Sequence, residues 1–400
     1  MLSITPKLIE NGYQVEIYDG NIDESLDNIK IDDDVVCVGV STMIGHQIVG
    51  AIRFTEYVRS QRKVPIIWGG PLASVLPRIV LESGYPDYIL RGSGDESFCK
   101  LVMDIDEGNE KDDYVGRRVC KAINEGRIVF CDDRNRLPRY NYDIVQVQNY
   151  IQSDPHIADR VLNYVSSQGC PFKCGFCTEV AIYDSKWSGC ESKRIFDDVQ
   201  FLCNKYNLTG IKFYDSNFFV NKQRIMEFIR LLLERDLNIK WAASAHPNNL
   251  KKFTNEEFEL LAKSGLTRIL IGAESGVQEE LDFVKKGIKV QDIEELSYVL
   301  NKNKIRASFT FITGYPTFPE SNVYVTLEFA KKLVTLYPFH EFKVHIFLPF
   351  PGSKLFNLSV KNGFVVPTTL EEWSRLDYYE KCNPWVSKQS VERVRQFNEE

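Results

Sequence analysis

Residues 169–177 read Gly-Cys-Pro-Phe-Lys-Cys-Gly-Phe-Cys, and they follow the apolar run Val161–Val165, which predicts a strand. Three cysteines on so short a loop can face one inorganic centre, but they cannot complete a four-cysteine shell. An iron–sulfur cluster held by three protein sulfurs keeps one iron open to a substrate or cosubstrate. The spacing of Cys170, Cys174 and Cys177 therefore indicates an iron–sulfur site with an open iron.

Two other uses of these cysteines fit the sequence less well. A structural zinc site normally has four protein ligands in two pairs, and no second pair of Cys or His stands at a matching distance. Most of the ten cysteines of this 400-residue chain are scattered, which favours a reducing compartment over a disulfide framework.

Composition limits the class of protein. The length predicts two or three domains, and 44% hydrophobic residues are sufficient for extended cores. A net charge of −6 gives no electrostatic reason to expect nucleic acid as a partner. No apolar run approaches the roughly 18–20 residues of a membrane span. We therefore predict a cytoplasmic protein without a membrane span.

The first hundred residues alternate between predicted helices and strands, which is typical of a parallel, doubly wound sheet. The predicted strands are Gln14–Tyr18, Val35–Val40, Pro65–Trp68 and Asp87–Leu90. The predicted helices are Leu2–Asn11, Ile44–Arg62, Leu72–Ser83 and a helix from Asp95. In such sheets ligands bind at the carboxyl ends of the strands.

Three of these strand ends carry small or glycine-rich loops. They are Ser41-Thr42-Met43, Gly69-Gly70-Pro71 and Gly92-Ser93-Gly94. Glycine lets a backbone approach a bulky planar ligand and adopt positive φ. Any one of these loops could be an ordinary turn, but their occurrence at successive strand ends predicts a shared ligand site.

Strands and helices also alternate through the second part of the chain. The predicted strands are Val161–Ser166, Gly210–Tyr214, Ile239–Ser244, Thr267–Gly272, Ile305–Thr313 and Phe342–Phe347. The predicted helices lie near 191–206, 221–236, 254–264, 276–303 and 319–336. Between the two parts, Val119–Ile123 and Ile128–Cys131 predict a hairpin. Six strand–helix units predict a second parallel α/β arrangement.

The cysteine spacing, with an aromatic residue before the last cysteine, resembles the signature of radical S-adenosylmethionine (SAM) enzymes. The three small loops together resemble the cobalamin-binding domain that precedes many radical SAM cores. This chain departs from the pattern at Met43, where relatives have Leu, and at Ser93 and Asp95, which stand for two acidic positions of the pattern. It also departs at Gln168, where relatives often have Arg. The likeness covers residues 2 to 353.

The resemblance implies a division into four parts. Residues 1–104 would form a flavodoxin-like cobalamin-binding domain whose first strand is missing, and 105–160 a connector. Residues 161–352 would form a partial (β/α)6 barrel of the TIM type, the radical SAM core. Residues 353–400 would be a C-terminal segment, for which truncation stays an open alternative.

The resemblance also implies which residues bind each cofactor. Cys170, Cys174 and Cys177 would bind a 4Fe–4S cluster. The SAM-binding residues would be Phe176, Asp215, Ser244, Glu274, Ser275, Ile312, Gly314 and Phe347. Asp215 could instead cap the helix that begins near Asn221. The cobalamin-binding residues would be Ser41, Thr42, Met43, Gly69, Gly70, Pro71, Gly92, Ser93 and Gly94. No lower axial histidine is evident, although His46 lies one loop away, and no catalytic acid or base is assigned.

The activity implied is reductive cleavage of SAM to a 5′-deoxyadenosyl radical, followed by methylation of an unactivated carbon through methylcobalamin. The partners implied are a small-molecule substrate and an electron donor such as flavodoxin or ferredoxin. Three alternatives stay open: cobalamin-dependent cyclisation or rearrangement, a radical SAM core whose first domain no longer binds cobalamin, and a cobalamin-binding regulatory module.

Overall fold

The computed structural model describes residues 2–22, 25–109, 130–376 and 383–399 of the chain. Its strands are β1 (Val38–Ser41), β2 (Ile66–Gly69), β3 (Tyr88–Ile89), β4 (Gln152–Asp154), β5 (Ala158–Tyr164), β6 (Ser167–Gly169), β7 (Trp187–Gly189), β8 (Gly210–Phe213), β9 (Lys240–Ala245), β10 (Leu266–Glu274), β11 (Arg306–Thr313) and β12 (Glu341–Ile346). The predicted α/β class is confirmed: a small parallel sheet precedes a larger sheet that is curved as a partial barrel.

Helices cover both sheets. Those of the first part are α1 (Pro6–Glu10), α2 (Gln47–Gln61), α3 (Gly70–Val75), α4 (Pro77–Glu82) and α5 (Ser97–Asp106). Those of the second part are α6 (Glu179–Tyr183), α7 (Ser192–Tyr206), α8 (Lys222–Glu234), α9 (Pro247–Leu250), α10 (Asn255–Lys263), α11 (Gln278–Phe283), α12 (Val290–Lys302), α13 (Ser321–Leu336), α14 (Lys354–Lys361), α15 (Leu370–Ser374) and α16 (Lys388–Glu399). None of the described helices is long and apolar enough to cross a membrane.

The first sheet has the strand order β1-β2-β3, and all its pairs are parallel. The prediction of a strand at Gln14–Tyr18 is wrong, because a strand needs a hydrogen-bonded neighbour and no described strand pairs with this segment. Its apolar side chains, such as Val15, instead pack beside Leu8 and Phe98. The predicted helix Leu72–Ser83 is two helices, because Pro77 begins α4 at its first position and cannot continue α3.

The larger sheet has the order β12-β11-β10-β9-β8-β5-β4. Six of its strands are parallel, which confirms the six predicted strands of the barrel. The sequence analysis missed β4, a short antiparallel strand at one edge, and the antiparallel pair of β6 and β7. It also predicted one helix over 276–303, whereas α11 and α12 are separated by a loop in which Gly287 has a φ of 70°.

The core of the second part lies between the larger sheet and its helices. Alternate residues of each parallel strand, such as Phe213, Ile271 and Phe309, are fully or almost fully buried against residues of α8, α12 and α13. The other residues of each strand face the concave side of the sheet. Most of the predicted hairpin at 119–131 lies outside the described residues.

The C-terminal segment packs against both parts of the molecule. Leu370 and Trp373 of α15 belong to the core that covers β2 in the first sheet. In α16, the Asn398 amide donates to the carbonyl of Val344 and accepts from its backbone N–H, at 2.7 and 2.9 Å. These two hydrogen bonds pair the N–H and carbonyl of Val344, which would otherwise be unpaired at the outer edge of β12.

Candidate active site

The three cysteines lie on a loop that is fixed at both ends. Before the loop, Gly169 in β6 has a φ of 80°, and a Cβ atom there would lie 2.2 Å from the carbonyl oxygen of Lys186. Within it, the Gly175 N–H donates to the Val284 carbonyl at 2.7 Å, and the Gly175 carbonyl accepts from the Leu355 N–H at 3.0 Å. The glycines of the motif therefore serve close backbone contacts, and the loop is attached to the segment after α11 and to the first turn of α14.

The thiols of this loop are free and largely buried. Cys174 is buried, Cys170 and Cys177 are half-buried, and the Asn217 side-chain amide donates to the Cys170 sulfur at 3.7 Å. Burial raises the pKa of Cys174 to about 11 and that of Cys177 to about 12, and the neighbouring thiols add to the effect. Because metal coordination deprotonates a thiol, iron would offset the free-energy cost of forming buried thiolates. Such a donor set fits an iron–sulfur cluster.

Among the described residues, no three Cys, His, Asp or Glu side chains converge on a single metal ion. A cluster places fewer constraints on the ligand sulfurs, because each of them binds a different iron. The three-cysteine loop is consistent with a multinuclear centre in which each sulfur binds a different iron.

A buried ion pair lies beside the cysteine loop. Glu274, at the end of β10, has a φ of 65°, and its carboxylate is 2.6 Å from the Lys286 ammonium. Both side chains are almost fully buried, and the Lys286 charge lowers the pKa of Cys174. A Cβ at Gly272 would lie 2.2 Å from the Glu274 oxygen, so only glycine leaves room for the pair. The sequence analysis missed Lys286, although a buried carboxylate at Glu274 requires such a partner.

His246, which follows β9, forms the floor under the cysteine loop. Its ring stacks on Phe172 with the ring centroids 3.5 Å apart. Burial lowers the pKa of His246 to about 2, and the charge of Lys286 adds to that effect. The ring is therefore neutral, and its Nδ1 accepts a hydrogen bond from the Asn248 N–H at 3.2 Å.

Asp215 is a structural carboxylate in this fold. Its side chain accepts hydrogen bonds from the Ser166 N–H and hydroxyl, both at 2.7 Å, and from the Ser167 hydroxyl. It does not cap the next helix, because Asn221 accepts from the Arg224 N–H and caps α8. Burial raises the pKa of Asp215, whereas the charge of Arg224 lowers it. The carboxylate thus holds the turn that leads into the cysteine loop.

Three of the apolar residues predicted to bind SAM come together. Phe176, Ile312 and Phe347 belong to one apolar cluster with Tyr315 and Leu355. Gly314 does not approach open space, since a Cβ there would lie 2.9 Å from Val386 and its carbonyl accepts from the Trp385 indole at 2.9 Å.

The two predicted serines lie in different surroundings. Ser275 is fully buried, and its hydroxyl donates to Glu280 at 2.6 Å, so its side chain stabilises the turn after Glu274. Ser244, in β9, is half-buried and lies on the concave side of the sheet.

The three small loops of the first part are neighbours. A Cβ at Gly70 would lie 2.9 Å from the Ser41 hydroxyl, and the Gly92 N–H donates to the Ser74 hydroxyl at 3.0 Å. Met43 is 48% exposed, whereas Ser93 is buried. The loop at Ser41 is thus open, while the other two loops are held in contacts with the rest of the fold.

Gln168 joins this loop region to the cysteine loop. Its side-chain oxygen accepts from the Ser93 hydroxyl at 2.8 Å and from the Arg134 guanidinium at 3.0 Å. Its nitrogen donates to the Tyr183 hydroxyl in α6 at 3.1 Å. Arg134 also lies 3.6 Å from the buried carboxylate of Asp95. Although position 168 carries Gln instead of Arg, an arginine still lies there, because Arg134 of the connector contacts Gln168.

A cavity of about 1250 Å³ lies between the first part and the edge of β5. Its walls include Ser41, His46, Arg53, Asn163 and Gln168. The loops Gly69–Pro71 and Gly92–Gly94 are not among its lining residues. Drug-sized ligands occupy roughly 300–1,000 Å³, so this cavity is suited to a larger molecule.

Two family descriptions match separate parts of the chain. Residues 3–102 match the B12 binding domain, and residues 164–330 match the radical SAM superfamily. The second match includes the three cysteines and the ion pair of Glu274 and Lys286. Together they imply cobalamin, SAM and a 4Fe–4S cluster as cofactors.

Proteins of known sequence support the same assignment. The chain is 24% identical to an uncharacterized methyltransferase of Pyrococcus horikoshii, over 98% of this chain and 85% of the relative. It is 23% identical to the anaerobic magnesium-protoporphyrin IX monomethyl ester cyclase of Rubrivivax gelatinosus, over 70% of this chain and 50% of the relative. The chain thus spans half the length of that cyclase.

Solved structures share the fold. The radical SAM methyltransferase TsrM from Kitasatospora setae, with cobalamin and a 4Fe–4S cluster bound, superposes with a TM-score of 0.70 at 16% identity, covering 91% of this chain and 75% of TsrM. The cobalamin-dependent radical SAM enzyme OxsB, with aqua-cobalamin and SAM bound, gives 0.58 at 17% identity, covering 91% and 52%. This chain is a radical SAM enzyme in which a B12-binding domain precedes the radical SAM core.

Proposed function

We propose that the protein methylates an unactivated carbon of a small molecule, using SAM and cobalamin. The observation that carries the proposal is the contact at Gln168. This residue lines the large cavity, lies two positions before Cys170, and bonds to Ser93 of the B12-binding domain. A cobalamin in the cavity would therefore lie next to the cysteine loop, as transfer between two cofactors requires.

The chemistry belongs to the cofactors: the cluster supplies an electron that cleaves SAM, and cobalamin supplies a methyl group that it has taken from a second SAM. Cys170, Cys174 and Cys177 would hold the cluster. Glu274 would accept hydrogen bonds from SAM, and Lys286 would donate to the carboxylate of SAM. The side chains of Glu274 and Lys286 are both buried and are already held in place by their ion pair.

The apolar residues Phe176, Ile312 and Phe347 would enclose the adenine of SAM. Ser41, which lines the cavity while Thr42 and Met43 do not, would contact cobalamin, and the loops Gly69–Pro71 and Gly92–Gly94 would support it from behind. Asp215, Ser275 and Gly314 are engaged in the fold, so we assign them a supporting part. Ser244 would face the substrate from the concave side.

The domain limits of the proposal are 1–104 for the cobalamin-binding domain, 105–160 for the connector and 161–352 for the core. The segment 353–400 would connect the two domains, because Leu370 and Trp373 pack on the first and Asn398 bonds to the second. An electron donor such as flavodoxin or ferredoxin would reduce the cluster. Scattered free thiols support a cytoplasmic location, where the reduced state persists.

The test is turnover after anaerobic reconstitution with iron, sulfide and cobalamin. Methyl-labelled SAM is incubated with a small-molecule extract, and labelled product, 5′-deoxyadenosine and S-adenosylhomocysteine are measured. We expect equal amounts of the last two for each methyl added. Formation of 5′-deoxyadenosine without S-adenosylhomocysteine would favour the cyclase-like alternative. The similarity to the anaerobic ester cyclase is the observation that supports this alternative. Equal turnover without cobalamin would reject that cofactor.

A further inference from the structure

The concave side of the larger sheet is lined by polar residues and by two exposed apolar ones. Tyr214, just after β8, is 65% exposed, and Leu270 in β10 is 44% exposed. We define the inner face as the following residues, which alternate with the buried ones along each strand: Asn163, Lys212, Tyr214, Ser244, Leu270, Thr310, Ile312 and His345. Exposed apolar side chains on a recessed surface favour a ligand with an apolar body.

Most charged groups around this face have partners. At the lower rim Arg268 bonds to Glu341 at 2.5 Å, and the His156 ring contacts the same carboxylate at 3.0 Å. At the upper rim Glu274 and Lys286 form the buried pair. The charges that frame the inner face are therefore compensated within the protein.

Lys212 differs from them. It is half-buried in the middle of β8, and within the described ranges no carboxylate oxygen lies within 4.0 Å of its ammonium. Its nearest recorded partner is the ring of Tyr214, whose centroid lies 5.8 Å from the ammonium. Across the sheet it is in register with Asn163 and Ala242, which carry no charge.

The contrast with other lysines is informative. Lys193, whose side chain is 76% exposed, contacts a carboxylate at 2.7 Å, and Lys222, which is half-buried like Lys212, contacts one at 2.6 Å. A half-buried cation gains more from an anionic partner than an exposed one, because water screens the interaction less. The inner face thus presents a positive charge that has no carboxylate partner among the described residues.

We infer that Lys212 binds an anionic group of the substrate, and that the substrate is a small anion with an apolar body. A carboxylate or a phosphate would meet the Lys212 ammonium, while the apolar body would lie against Tyr214 and Leu270. Asn163 and Ser244 offer hydrogen bonds on either side. This inference rests on the proposed function only in taking the inner face as the substrate site.

The experiment uses four probes that each contain a phenyl ring and differ in their polar group: phenylacetate, phenyl phosphate, 2-phenylethylamine and 2-phenylethanol. Their binding to the reconstituted holoenzyme is measured by saturation-transfer NMR, so that turnover is not required. We expect the two anions to bind, and the stronger of them identifies carboxylate or phosphate as the recognised group. The amine and the alcohol are expected to bind about tenfold more weakly or not at all, as for loss of one charge-assisted bond.

The variants separate the lysine from the rest of the fold. Lys212→Met should weaken anion binding about tenfold, and Lys212→Arg should retain most of it, since its charge is kept. The control is Lys193→Met, which removes a lysine paired with Asp197 on the outer helix α7. Equal binding of all four probes, no binding of either anion, or unchanged anion binding by Lys212→Met would overturn the inference. Failure of methyl transfer in the turnover assay would leave these binding results standing, so the two proposals fail separately.

Discussion

At the scale of single residues, the cysteine loop depends on all three thiols at once. We expect Cys170→Ala, Cys174→Ala and Cys177→Ala each to lose the cluster iron and SAM cleavage, because the three ligands share one centre. Iron content and 5′-deoxyadenosine release are the measurements.

Other cysteines stand apart from this loop in the sequence, without ligand spacing among them, and should be dispensable for iron content: Cys37, Cys99, Cys120, Cys131, Cys203 and Cys382. Cys203→Ala is the matched control, since Cys203 is also buried but belongs to α7. Release of 5′-deoxyadenosine by Cys174→Ala would contradict the assignment.

Gly272 tests the ion pair beside the loop. An alanine Cβ would lie 2.2 Å from the Glu274 oxygen and 2.8 Å from the Lys286 nitrogen, so the pair must separate. We expect Gly272→Ala to weaken SAM binding about tenfold, equivalent to about 1.4 kcal/mol, as measured by equilibrium dialysis. The control is Gly50→Ala in α2, where a Cβ meets no atom within 4 Å. Unchanged SAM affinity in Gly272→Ala would remove Glu274 and Lys286 from the proposed site.

At the scale of elements, His340 joins α12, β11 and β12. Its Nε2 lies 2.8 Å from the Ser297 carbonyl, and its Nδ1 accepts from the Ala307 N–H at 3.2 Å, which requires the neutral ring. Burial lowers the pKa of His340, and the charge of Arg306 adds to this. Below the unfolded pKa of about 6.5, the unfolded chain therefore binds a proton that the folded chain excludes.

Stability should thus fall as the pH falls through about 6.5, by at most about 1.4 kcal/mol per pH unit for this group. Urea unfolding between about pH 7.5 and pH 5.5 measures the slope. His340→Phe should reduce it, whereas replacement of the exposed His46 by Gln should not. An identical slope in His340→Phe and the unmodified protein would show that His340 does not contribute.

Gln168 connects two elements whose positions matter for the proposed reaction. Gln168→Leu removes the acceptor of Ser93 and Arg134, which are both buried, at a cost of about 1–3 kcal/mol. We expect this variant to cleave SAM while forming less S-adenosylhomocysteine than 5′-deoxyadenosine. Gln291→Leu, which alters an exposed glutamine of α12, is the control. A ratio that stays equal in Gln168→Leu would mean that this contact does not couple the two cofactors.

Elements with local signals were predictable from the sequence, and those defined by distant partners were not. The six parallel strands of the larger sheet were evident as apolar runs, and the cysteine spacing identified its own loop. By contrast, Gln14–Tyr18 has the composition of a strand but no described neighbour to pair with. Lys286 and Arg134 reach the site only through the tertiary fold, from positions 12 residues after Glu274 and 34 residues before Gln168.

At the scale of the whole molecule, the first part is completed by the end of the chain. Leu370 and Trp373 belong to the same core as Ile48 and Trp68, and Trp373 is fully buried. We therefore expect a fragment of residues 1–104 to lack a cooperative thermal transition, because its core would be open on this side. Circular dichroism measures the thermal unfolding of this fragment. A sharp transition would show that residues 1–104 fold without α15.

Trp373 allows the same dependence to be tested in the intact chain. Truncating a fully buried tryptophan costs about 3–5 kcal/mol, and here the helix that carries it packs on α2 of the B12-binding domain. Trp373→Ala should therefore abolish or strongly weaken cobalamin binding, while the iron content and SAM cleavage of the core are retained. The control is Val365→Ala in the same segment, where the side chain is 85% exposed. Loss of the cluster together with cobalamin would instead show that the two domains unfold as one unit, and retention of both would show that α15 is not needed by either.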